Sequence, residues 1–170
     1  MKTVRWLSGI LFWVVRVCAY LYGITVLYAA YNLIFEPATL VLEDNNRFII
    51  NYPFTGRAFL LGWLDMAFLC EMFLGIGLYA VFFYLLSNVF KIFRDKPLFT
   101  AKGISHLTRF YFANLTVPVA VAILLSFISS ELSIMFMIVV LHAILGIFAY
   151  FMTAIFKQGY LLQKDQELYI

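Results

Sequence analysis

Three ionisable side chains, Arg16, Glu71 and His142, stand inside runs that are otherwise apolar. A charge in such a run costs roughly 2.5–3.5 kcal/mol on insertion scales for Arg, Lys or Asp, so each is a functional candidate. Glu71 and His142 together could line a polar path for a proton or a small ion, as in a transporter or channel subunit. Arg16 and Glu71 could instead pair, but helix rise places them about 10 Å apart along the membrane normal, so pairing requires shifted helices. The simpler reading is that Arg16 snorkels along its stem to the nearby interface. Glu71 is then protonated or hydrogen-bonded to Tyr, Ser or water, and His142 is a neutral residue bonded to a neighbour. His106 reads as a solvated side chain.

No catalytic constellation accompanies these groups. The sequence has no HExxH, no Cys-x-x-Cys and no Gly-rich phosphate loop. Cys18 and Cys70 lie in apolar runs without a Cys or His partner at metal-ligand spacing, which reads as buried structural thiols. Neither an enzyme nor a metal or cofactor site is expected. Gly75 and Gly77 miss the GxxxG spacing of a close-packed helix pair.

The other chemistry is electrostatic. Between Lys91 and Arg109 the chain carries Lys91, Arg94, Lys96, Lys102 and Arg109, the only long polar basic stretch between apolar runs. Such cations attract anionic lipid headgroups, at about 1 kcal/mol per charge near the surface, or the acidic face of a cytosolic protein. An ordinary topology-setting loop has the same composition. Pro97 interrupts the chain, and Thr100 is placed to cap a following helix. Ile104, Leu107, Phe110 and Tyr111 recur at 3–4-residue spacing, which makes the first part of that helix amphipathic. The C-terminal segment is acidic at Asp165 and Glu167, so it is expected to touch the basic stretch.

The elements that must position these groups follow from composition. Of 170 residues, 65% are apolar and 12% are charged, against about 45–50% and 25% in soluble domains. The apolar residues fall into four runs, each long enough to cross a hydrocarbon layer of about 30 Å. The reading is an all-α membrane protein of one domain, 1–170, with four transmembrane helices at about 11–35, 64–90, 100–127 and 132–156. The N-terminal run is too long for a signal-peptide core and contains Arg16, so it reads as a retained helix. Glu36-Pro37 ends it. In the loop 36–63, two β-prone runs flank Asp44-Asn45-Asn46 and predict a hairpin, while 54–63 reads as a re-entrant or interfacial segment. The third helix is overlong, so its first turns, to about Arg109, fall at headgroup level. A short polar turn is expected at 129–131 and a tail at 157–170.

Nine cations (Lys2, Arg5, Lys91, Arg94, Lys96, Lys102, Arg109, Lys157 and Lys164) collect on one side of this layout. Arg47 and Arg57 face five acids on the other. The positive-inside rule puts both termini and the basic stretch in the cytoplasm and the loop 36–63 outside.

Pro97-Leu98-Phe99-Thr100 before a basic amphipathic helix resembles a Pro-Phe-Thr signature between the middle helices of the bacterial membrane family called domain of unknown function 2975. The ending, Phe156-Lys-Gln-Gly159, Leu162 and Asp165-Gln-Glu-Leu-Tyr-Ile170, is similar to that family's Phe-x-x-Gly-x-x-Leu followed by Glu-Gln-Asp-Leu-Thr-Val. Leu98 is extra, Glu167 stands for the Asp, and Tyr169-Ile170 stand for Thr-Val. The resemblance implies a four-helix protein of the bacterial inner membrane, without assigned activity, whose gene often neighbours one for a small helix-turn-helix regulator. The expected partners are therefore the lipid bilayer, such a regulator by analogy, and a second copy of the chain. Direct nucleic-acid binding is not expected. A regulatory or partner-binding role through the basic stretch and tail leads, and the transport path through Glu71 and His142 is the alternative.

Overall fold

A computed structural model of the chain describes residues 2–128 and 133–167, without the side chain of Glu167. The expected turn at 129–131, the Glu167 contact and the closing residues 168–170 lie outside the described residues. Four helices dominate: α1 (Lys2–Phe35), α2 (Met66–Arg94), α3 (Ala101–Ser126) and α4 (Ser133–Glu167). All four are long and apolar enough to cross a membrane. Much of their apolar surface faces outward: Trp6, Leu27, Ile34, Phe136 and Met137 are each about 70% exposed. Outward apolar faces of this extent suit a lipid solvent and would aggregate a monomer in water.

Both terminal helices run further than the hydropathy pattern predicts. Helix α1 starts at Lys2 rather than near residue 11. Helix α4 continues past residue 156 to Glu167, where a tail was expected. The extension contains Lys, Gln and Leu and no proline, so helix propensity carries the backbone on after the apolar run has ended.

Between α1 and α2 the chain builds a three-stranded antiparallel meander: β1 (Leu40–Glu43), β2 (Arg47–Asn51) and β3 (Ala58–Trp63). The predicted hairpin is β1–β2, and Asn46, at φ 58°, supplies its left-handed turn residue. The segment 54–63 is not re-entrant. It pairs with β2 as the third strand, because Phe59, Leu60, Leu61 and Trp63 can use the alternating environment of a sheet edge. Phe48 and Ile50 of β2 are fully buried and pack with Ala29 of α1. Gly62 lets β3 close over this core, since a Cβ there would sit inside the Phe48 and Phe68 rings. Buried Asn32 ties the sheet to α1: it accepts from Thr39 Oγ1 at 2.6 Å and donates to the Tyr28 carbonyl at 2.8 Å. Tyr28 in turn donates to the Asn51 carbonyl at 2.7 Å.

Helix α2 is central. It packs along α1 and α3, and its Tyr79, Phe82 and Phe93 meet His142 and Phe156 of α4. The buried side of α3 is one stripe, Gly103, Leu107, Phe110, Asn114, Pro118, Val121 and Leu125, at spacings of three and four. Close approach of α3 and α4 depends on Gly146, where a Cβ would meet Leu115 at 2.8 Å. Gly75 and Gly77 are not used in this way, because no atom of another element lies within 4 Å of a Cβ built at either.

Candidate functional site

Sheet and basic stretch fall at opposite ends of the helices. The sheet joins the C-terminus of α1 to the N-terminus of α2, while the basic stretch runs from the last turn of α2 into α3. At the basic end, Lys91 and Arg94 occupy the last turn of α2, where cations complement the carbonyl end of the helix dipole. Thr100 then caps α3 as expected, accepting from Gly103 N at 2.9 Å.

The basic stretch and the α4 extension touch, and among the described residues the contact is aromatic and apolar rather than an ion pair. Ile92, Leu107 and Phe156 form a buried cluster at this end. Phe99 lies edge-on to Phe156 at 5.2 Å, and Phe93 meets Phe156 at 5.7 Å. A Cβ on Gly159 would fall 2.7 Å from the Phe99 ring, so only glycine admits the ring at this distance. The ion pair at this end is Arg94–Asp95, at 3.0 Å between neighbours in sequence. Asp165 is exposed, and among the described residues no ion pair joins it to the basic stretch.

Lys91, Lys96 and Lys102 surround a cleft of about 190 Å³ between the end of α2 and the start of α3. His106 also lines this cleft and is half-buried rather than fully solvated as expected, with its Nε2 buried without a hydrogen-bond partner. Its imidazole is pushed below the ordinary value, first by burial and then by the charges of Lys102, Lys91, Arg109 and Arg16. Arg109 is exposed and adds to this field without lining the cleft.

Arg16 meets α2 at Asn88 rather than Glu71. Its Nη2 donates to Asn88 Oδ1 at 2.6 Å, and its guanidinium lies 4.3 Å from the Tyr84 ring centroid. Asn88 follows Glu71 by 17 residues, about 25 Å of helix, which is far beyond the separation the hydropathy reading gave. Arg94 stacks on Phe12 at 4.4 Å, so α1 and α2 share two cation–aromatic contacts near the basic end.

His142 sits where three helices meet. Its Nδ1 is 2.8 Å from Asn114 Oδ1, and Asn114 Nδ2 donates to the Phe110 carbonyl at 2.8 Å. The Tyr79 and Phe82 rings flank the imidazole. Pro118, one turn after Asn114, has no N–H to give the Asn114 carbonyl. His142, Asn114 and Pro118 open on a cleft of about 20 Å³, room for about one water. Glu71 is not among the residues lining it.

The helix-lining asparagines Asn32, Asn88 and Asn114 were not singled out from sequence. Each had a signal: an uncharged polar residue in an apolar run. Asn114 in particular continues the Leu107–Phe110 stripe at i+4. The described residues hold no group of three or more His, Cys, Asp or Glu suited to a metal ion. Compared with family models, curated proteins and solved structures, the chain matches none.

Proposed function

We propose that this is a non-enzymatic protein of a bacterial inner membrane that holds a cytosolic partner against its basic end. All four helices cross the bilayer, both termini face the cytoplasm, and the three-stranded sheet lies outside. The clustering of nine cations with both chain ends supports this orientation. The resemblance to domain of unknown function 2975 favours a small helix-turn-helix regulator as the partner.

One observation carries the reading. Phe99, held by Phe156 and the bare backbone of Gly159, fixes the basic stretch to the α4 extension. A topology-setting loop needs only its charge. A docking platform also needs its charges held in place, because a mobile surface pays ordering entropy when the partner binds.

The test is capture of cytosolic proteins by the chain purified in mild detergent, with and without Lys96→Glu and Lys102→Glu. The doubly reversed protein is expected to lose a partner that the wild type retains. If every partner stays bound, the platform reading fails.

A further inference from the structure

The cleft between α2 and α3 is more than a patch of charge. It is concave, about 190 Å³, and lined by Lys91, Lys96, Lys102 and His106. Its one acid, Asp95, is already engaged by Arg94 at 3.0 Å. The His106 Nε2 atom, like Arg5 Nε and Arg16 Nε at this end, is buried without a hydrogen-bond partner. Gly103 shapes the wall: a Cβ there would lie 3.1 Å from Ile92, so a side chain would narrow the gap between the helices.

We propose that this cleft binds a phosphomonoester group. Such a group is close to dianionic near neutral pH and carries three acceptor oxygens. Three ammonium groups are donors. The anion would offset the charges of Lys91, Lys102, Arg109 and Arg16 that act on the His106 ring. At 26 residues, about 39 Å, α3 exceeds the hydrocarbon thickness, so its first turns sit at headgroup level. The phosphate can therefore come from a lipid headgroup or from solution. This site requires no cytosolic partner and stands apart from the capture reading.

The experiment uses the full chain alone in phosphatidylcholine nanodiscs, with the assigned ring signals of His106 and His142 followed by NMR. One arm adds inorganic phosphate and the other adds phosphatidic acid to the discs. A saturable shift of His106, with His142 unmoved, is expected in at least one arm. A response to phosphatidic acid alone assigns a lipid, and a response to inorganic phosphate assigns a soluble source. Lys96→Gln and Lys102→Gln should each weaken the midpoint about tenfold, as loss of one charged hydrogen bond does. Lys157→Gln, on the same end but outside the cleft, should leave it unchanged. Gly103→Val should abolish the response by filling the cleft. No saturable shift with either probe overturns the proposal, as does an equal loss in Lys157→Gln, which would mean diffuse attraction.

Discussion

Asn114 and His142 depend on each other. Removing one leaves the other's polar atoms among aromatic rings, whereas removing both leaves an apolar contact. Asn114→Leu is expected to lower stability in mild detergent by about 1 kcal/mol, within the range for hydrogen bonds between membrane helices. Adding His142→Leu should recover part of that loss. Strictly additive losses in thermal unfolding would show that the two residues act separately. His106 makes a different prediction. Because its folded-state pKa lies below the ordinary 6.5, the folded protein favours the neutral ring. Its contribution is present above about pH 6.5 and is lost as pH falls below it, when the unfolded chain takes up the proton first. His106→Gln should therefore lessen the fall in melting temperature on acidification. An unchanged fall would place the titration elsewhere. Sequence alone had Arg16 snorkelling or pairing with Glu71 and His142 bonded to an unnamed neighbour, and it named neither actual partner. Asn88 and Asn114 lie 72 and 28 residues away, and only the register of packed helices brings them together.

Among the elements, the helices were legible because four apolar runs of membrane length leave little alternative. Their ends were less so. Hydropathy marks where lipid ends, while the hydrogen-bond ladder continues until propensity or a proline stops it, so α4 outlasts its apolar run by eleven residues. The third strand was missed because 58–63 is apolar on both alternating faces and shows no clean period of two. The basic stretch was legible in charge and in its Thr100 cap, but its mode of attachment was not. The acidic residues suggested ion pairs, whereas Phe99, Phe156 and Gly159 make the contact. Gly159→Val should expel the Phe99 ring and loosen the connection between α2 and α3. Limited trypsin digestion in detergent is then expected to cut faster at Lys102 than in the wild type. Unchanged cleavage would mean that the turn holds itself without α4.

At the scale of the whole molecule, the chain is polarised. A small sheet with a tightly packed core closes one end of the helices, and cations held on an aromatic cluster occupy the other. The positive-inside rule converts this polarity into a proposed sidedness, and the platform depends on the basic end facing the cytoplasm. Sidedness is open to direct measurement. In a background of Cys18→Ser and Cys70→Ser, one cysteine is placed in the sheet turn as Asn45→Cys or in the basic stretch as Lys96→Cys. Intact spheroplasts are then treated with a membrane-impermeant thiol reagent. Asn45→Cys should be labelled at once, and Lys96→Cys only after the membrane is opened. Labelling of Lys96→Cys in sealed spheroplasts, with Asn45→Cys protected, would contradict the account.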